Sequence, residues 1–358
     1  MAGLYVHTPF CKKRCLYCDF FSTTLLERRK EYVEAVLQEI QNRRDEAHEP
    51  IRTIYLGGGT PSTLEATDIQ RILKEIGTAD AEEITMELNP GDATKEYLHA
   101  LRAVGINRLS IGIQSFQDEL LQLIGRRHNA HQAIEAVQMA QEAGFDNLSI
   151  DLMYALPTQT MAQWDADIET ALKLGIQHIS CYGLMYEEGT ALTRQVEQGI
   201  IQPIDEDLEN AMYDRLCERL TKAGFVHYEV SNFALPNYES KHNSSYWDGT
   251  AYIGIGAGAH SYLPPVRSWN INDFDKYIRC SKNNTLSPDY ERLTEKDIYN
   301  ERIMLGLRTR RGVLRTEIRQ DISKYIEKHL LREEDGRIIA TQQGIHILNR
   351  IIEDLMID

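Results

Sequence analysis

The chain has 358 residues, 42% of them hydrophobic, with a formal net charge of −15 and six cysteines. That length buries a sizeable core in one large α/β unit with a small appended domain, and the acidic balance argues against broad nucleic-acid binding, which demands clustered Lys and Arg. No apolar run approaches the roughly 18 residues of a membrane span, and the first residues lack a secretion signal, so the expected compartment is the reducing cytoplasm.

Short apolar runs recur along the first half: "GLYVHTP", "TIYLGGGTP", "ITMELNP", "RLSIGIQSF", "LSIDLMYALP" and "HISCYGLMYEEGT". Each ends in a Gly, Pro or polar turn and leads into an amphipathic stretch, giving helices at roughly 26–46, 66–77, 94–104, 131–143 and 161–174. In the first of these, Leu26, Tyr32, Val33, Val36, Leu37 and Ile40 fall near one face. Six strand–helix units in succession predict an α/β fold built on a parallel (β/α) barrel, partial or complete, over residues 1–205. A helix near 205–222 then opens a barrel extension over 206–290, with a strand-like "FVHYEVSNFA", a loop "KHNSSYWDG" and the Gly-rich "AYIGIGAGAHSYL". Residues 291–358 read as a small C-terminal helical domain with a wing, a packing cap for the barrel.

In such a barrel the chemistry sits at the C-terminal ends of the strands, and the unusual residues gather there. Cys11, Cys15 and Cys18 form a C-x3-C-x2-C triplet after strand one, whereas Cys181, Cys217 and Cys280 are scattered. Clustered thiols in a reducing compartment bind metal more often than they form disulfides. Two readings stay open on the residues alone. A structural zinc site closes with a fourth ligand, for which His7 is the near candidate. A [4Fe-4S] cluster held by three thiolates leaves one iron open to an outside ligand.

The triplet in this setting resembles the radical SAM superfamily, and "YVHTPFCKKRCLYCDFFS", "GGGTPS", "SIGIQSF", "DLMYALP" and the final domain are similar to the branch that contains oxygen-independent coproporphyrinogen III dehydrogenase. The resemblance implies that Cys11, Cys15 and Cys18 bind a [4Fe-4S] cluster whose free iron is chelated by S-adenosylmethionine. It implies that Tyr5 lies near the methionine end of that cofactor and that Tyr17 touches it through its backbone. Gly58, Gly59 and Thr60 would let the backbone approach the methionine amino group. Glu87 would hydrogen-bond a polar group of the cofactor with Gln114 beside it, Arg126 would pair with its carboxylate, and Asp151 would accept from the ribose hydroxyls. Gly183 and His260 align with the same cofactor shell.

Two departures separate the chain from the dehydrogenase: Phe20 stands where a fourth cysteine would follow, and the chain begins almost directly at strand one. In their place "KHNSSYW" is similar to the H-N-x-x-Y-W signature of the HemW-type haem chaperones. This implies His242 as a ligand of haem iron, with Tyr246 and Trp247 as aromatic surface for the porphyrin. The basic run with Arg308, Arg310, Arg311 and Arg315 reads as solvated surface, with haem propionates as its alternative ligand. The expectation is therefore a haem chaperone with a radical SAM fold. Its cargo would be haem and its partner an acceptor haem protein, including a membrane-bound respiratory one. The chain would be a monomer or weak dimer, without nucleic acid and not integral to a membrane. The alternatives are a radical SAM tetrapyrrole oxidoreductase and a zinc-stabilised binding protein.

Overall fold

The computed structural model describes every residue except Met1, Arg44, Asp45, Ala47, His48 and Asp358. Strands β1 (Ala2–Thr8), β2 (Ile51–Gly58), β3 (Glu83–Leu88), β4 (Arg108–Gln114), β5 (Leu148–Tyr154) and β6 (His178–Gly183) lie parallel, side by side, in that order. Past β6 the sheet continues through the antiparallel pair β7 (Val226–Glu229) and β8 (Asn232–Ala234). Past β1 it continues through β9 (Tyr252–Ile255), which runs parallel to β1, and then through the antiparallel β10 (His260–Leu263), β11 (Val266–Trp269) and β12 (Asp289–Arg292). The 12-stranded order ends in β12 on one side and β7 on the other, so the barrel is partial.

The expected helices are present as Arg29–Asn42, Ala66–Ile76, Lys95–Ala103, Ala130–Glu142, Met161–Lys173 and Glu206–Lys222. The first is shorter than expected: a 3-10 turn fills Leu26–Arg28, and residues 44 and 45 lie outside those described. Its buried face carries Tyr32, Val33, Val36 and Ile40. Two differences matter. The Gly-rich stretch supplies β9, a seventh parallel strand, and the turn into β10. The expected loop "KHNSSYWDG" is a helix, Lys241–Asp248, whose Ser240 side chain accepts from the Asn243 N–H and whose end is closed by Gly249 at φ 76°.

One hydrophobic cluster runs from Leu4 to Ile278 beneath the helices. A second, from Tyr299 to Leu355, belongs to the C-terminal part. There the antiparallel strands β13 (Val313–Leu314), β14 (Leu331–Glu334) and β15 (Arg337–Ala340) pack with helices Glu295–Gly306 and Leu348–Leu355. Among the described residues no helix is long and apolar enough to cross a membrane.

Candidate functional site

Period-2 alternation divides each central strand into two unlike faces. Leu4, Val6, Ile54, Leu56, Ile84, Met86, Leu109, Ile111, Leu148, Ile150 and Ile179 join the helix-covered core. The opposite face carries Tyr5 and His7, Thr53 and Tyr55, Thr85 and Glu87, Arg108 and Ser110, Ser149 and Asp151, and His178 and Ser180. A closed barrel fills its interior with branched aliphatics; this one lines it with hydrogen-bonding groups, as a binding chamber requires.

At the upper end of the chamber, the loop after β1 carries the three thiols. Cys11 Sγ lies 3.4 Å from Thr60 Oγ1, and Cys15 Sγ accepts from Arg126 Nη1 at 3.5 Å. The Cys18 N–H donates to the Cys15 carbonyl. Burial pushes the Cys11 thiol up and the Cys18 thiol to about 11, the other two sulfurs adding to the rise at Cys18, so loading a metal centre must displace protons. Among the described residues no three His, Cys, Asp or Glu side chains form a group for one metal ion. His7 does not complete a zinc set either. Its Nε2 is 2.9 Å from the Phe21 carbonyl oxygen, which can only accept, so Nδ1 accepts from the Tyr5 hydroxyl at 3.0 Å.

The glycines of "GGGTP" have a packing reason that the sequence did not reveal. A Cβ on Gly58, at φ 113°, would fall 2.5 Å from the His7 ring, and one on Gly59 would fall 2.8 Å from the Pro9 carbonyl carbon. They let the end of β2 close on the root of the cysteine loop. Asp92, on the turn after β3, clamps the same loop: it accepts from Lys12 Nζ at 2.6 Å, Ser62 Oγ at 2.9 Å and Arg127 Nη2 at 3.0 Å. Nothing in the spacing of "NPGD" announced this.

Deeper in the chamber, Glu87 accepts from Tyr55 Oη at 3.0 Å and the Gly58 N–H at 3.1 Å. Burial, with the Asp151 charge adding to it, lifts this carboxyl to about 8. Asp151 accepts from Ser110 Oγ at 3.1 Å and is likewise raised by burial. Arg126 donates to the Gly112 carbonyl, and its buried Nε has no partner among the described residues. Gln114 ends β4 at φ 73°, a conformation uncommon for a side-chain-bearing residue, with its amide nitrogen 3.1 Å from where a Cβ on Gly112 would sit. The turn after it is held by buried Asp167, which accepts from Ser115 Oγ and the Phe116 N–H. Two carboxyls held up by burial and one guanidinium with an orphaned donor suit a ligand that brings a cation and a carboxylate together. S-adenosylmethionine, with its sulfonium, ammonium and carboxylate, has that chemistry.

Four expected residues stand apart. Tyr17 approaches Arg126 and Cys15 through its side chain rather than its backbone alone. Gly183 closes β6, where a Cβ would lie 3.1 Å from Tyr154 Oη and 3.2 Å from Glu209 Oε1. His260 is exposed at the start of β10, stacked on Trp269. His242 is the clearest departure. It is fully buried at the opposite, lower end of the chamber, with Nδ1 2.9 Å from Thr53 Oγ1 and Nε2 2.8 Å from Tyr246 Oη. Its ring stacks on Tyr55 with centroids 5.2 Å apart, and burial lowers its pKa to about 3. With both nitrogens engaged, His242 offers haem iron no ligand in this arrangement, and Tyr246 spends its hydroxyl on His242. The Arg run is divided: Arg308 and Arg310 line a cavity, and Arg315 does not.

A partial parallel barrel with a three-cysteine loop at its upper end and a polar chamber beneath defines the radical SAM class of protein. The family model of the radical SAM superfamily matches residues 5–171, and that of the HemN C-terminal domain matches 293–347. The heme chaperone HemW of Lactococcus lactis is 36% identical, with 99% of this chain and 97% of that protein aligned. HemW of Bacillus subtilis is 33% identical over 98% of each. The mitochondrial radical S-adenosyl methionine domain-containing protein 1 of Bos taurus is 34% identical over 99% of this chain and 87% of its own length. Among solved structures, coproporphyrinogen III oxidase HemN from Escherichia coli, described as a radical SAM enzyme, superposes with a TM-score of 0.83 at 23% identity, covering 99% of this chain and 90% of that one. The chain belongs to the HemW family of radical SAM proteins.

Proposed function

We propose that the protein is a haem chaperone of the cytoplasm: it binds haem and passes it to an acceptor haem protein. It would carry a [4Fe-4S] cluster on Cys11, Cys15 and Cys18 and S-adenosylmethionine in the chamber below. When bound, cluster and cofactor together supply one-electron chemistry at the sulfonium. The chain's own residues hold them. Arg126 takes the methionine carboxylate, the Gly58–Thr60 segment the amino group, Glu87 and Gln114 flank the cofactor, and Asp151 takes the ribose hydroxyls.

The observation that carries this reading is the near-full-length likeness to heme chaperones at 36% and 33% identity. The dehydrogenase reading has less behind it, because likeness to HemN at 23% identity speaks for the fold. Phe20, in the place of a fourth cysteine, is exposed.

The deciding experiment is anaerobic reconstitution, hemin titration with and without the cluster, and an assay with coproporphyrinogen III. The expected result is about four irons per chain, near-stoichiometric hemin binding in both forms, and no conversion of coproporphyrinogen. Sustained conversion without hemin binding would overturn the reading in favour of the dehydrogenase.

A further inference from the structure

If His242 is sealed in the floor of the barrel, the haem needs another seat. Between the barrel and the C-terminal domain lie two adjoining cavities of about 430 and 530 Å³. They share Val230, Arg308 and Ile345 as a common wall. Each has the size of an ordinary small-molecule pocket. The second reaches Tyr154 at the C-terminal end of β5, and so adjoins the end of the barrel that carries the cofactor residues.

The walls combine two chemistries. Val226, Ile339 and Ile345 supply apolar surface, backed by the buried Phe225 and Leu307. Arg308 and Arg310 supply positive charge on a chain whose net charge is −15. The segment that bears them is fixed by backbone pairing to β7: Val230 N–H donates to the Arg308 carbonyl and Arg310 N–H to the Tyr228 carbonyl, both at 2.9 Å. Thr309 bridges Glu229 between them. Among the described residues Arg308 donates only to neutral oxygens, those of Met304 and Asn349, and Arg310 makes no side-chain hydrogen bond or ion pair. Burial lowers the Arg308 pKa because no carboxylate offsets its desolvation. The acids that line the cavities, Glu229 and Glu209, are themselves raised by burial, Glu229 to about 7. The cleft therefore presents an apolar wall beside two guanidiniums lacking anions among the described residues, which is the complement of a flat apolar ring with carboxylates at one edge.

We infer that this cleft is the seat of the haem, with the macrocycle against Val226, Ile339 and Ile345 and the propionates on Arg308 and Arg310. The inference rests on the functional reading above. It requires no iron ligand from the protein, so iron-free protoporphyrin IX is accommodated as well.

The test is equilibrium titration of the full-length protein with hemin, protoporphyrin IX and hemin dimethyl ester, which lacks the propionate charges. Arg308→Ala and Arg310→Ala each weaken hemin binding at least tenfold, and Arg315→Ala, outside the cavity, leaves it unchanged. The dimethyl ester binds the wild type more weakly than hemin does and is insensitive to Arg310→Ala. Arg310→Ala removes no hydrogen bond of the fold, so its result is interpretable even if Arg308→Ala misfolds. Hemin affinity equal to wild type in both variants would overturn the seat while leaving the chaperone reading intact; a wild-type protein that binds no hemin would overturn both.

Discussion

Burial lifts the Glu87 carboxyl to about 8, so near neutral pH the ligand-free protein holds a proton there that an unfolded chain, with an ordinary value of 4.5, has released. The sign follows directly. Between those two values the folded state binds one more proton than the unfolded state, so stability falls as pH rises, by about 1.4 kcal/mol per unit for this group. Glu87→Gln removes the slope. Urea unfolding of the cluster-free protein between pH 5 and 8.5 should therefore show the wild type losing stability relative to the variant as pH rises. A pH-independent difference would mean that the carboxyl is already ionised. Glu229 titrates in both proteins and largely cancels, whereas Asp151, whose charge helps raise Glu87, does not cancel fully. At this scale the sequence was informative where a short motif keeps residues together on one loop, as for the three cysteines. It was silent where the partner is distant in the chain: Asp92 reaches Lys12 across 80 residues, and no local pattern encodes that meeting.

The helix Lys241–Asp248 shows the same division for an element. Its caps are written locally, in Ser240 and Gly249, and so is the "HNSSYW" string it carries. Its place is not, because that depends on the starts of three strands. Glu83 Oε2 and Oε1 accept from the backbone N–H groups of Lys241 and His242 at 3.0 and 2.9 Å. Thr53 holds the imidazole, and Gly3 leaves room for it: a Cβ there would sit 3.2 Å from the ring. The helix is thus a floor to the chamber, pinned by charge-assisted bonds to a buried carboxylate. His242→Ala leaves Thr53 and Tyr246 without their partner and opens a cavity, at a cost of about 1–3 kcal/mol. Urea unfolding should show that loss, while hemin titration of the folded variant stays at the wild-type affinity. The reverse pattern, unchanged stability with lost hemin binding, would return His242 to the role of haem ligand. The polar inner face, by contrast, is legible strand by strand: "LYVHT", "TIYLG" and "LSIDL" each alternate apolar with polar, the pattern of a chamber and not of a packed barrel.

For the whole molecule, the barrel core and the C-terminal core are separate hydrophobic clusters that meet at a narrow seam, with Ile345 packed against the first and Val230 against the second. The barrel cluster ends at Ile278 and the C-terminal cluster begins at Tyr299; between them lie the two cavities and the short pairing of β7 with residues 308–310. Cores that share little apolar surface unfold with limited coupling. Scanning calorimetry of the cluster-free protein should resolve two transitions. A ligand raises only the transition of the part that holds it, by about 2.7 kcal/mol at a hundredfold excess over its Kd. The residues proposed to hold S-adenosylmethionine lie on β1–β5 and their loops, so it should raise the barrel transition and leave the other in place. Hemin in the cleft touches both parts and should draw the two transitions together, an effect that Arg310→Ala should weaken. Hemin that raised the barrel transition alone would place the cargo inside the chamber, in competition with S-adenosylmethionine, and a titration of one ligand against the other would then show mutual displacement.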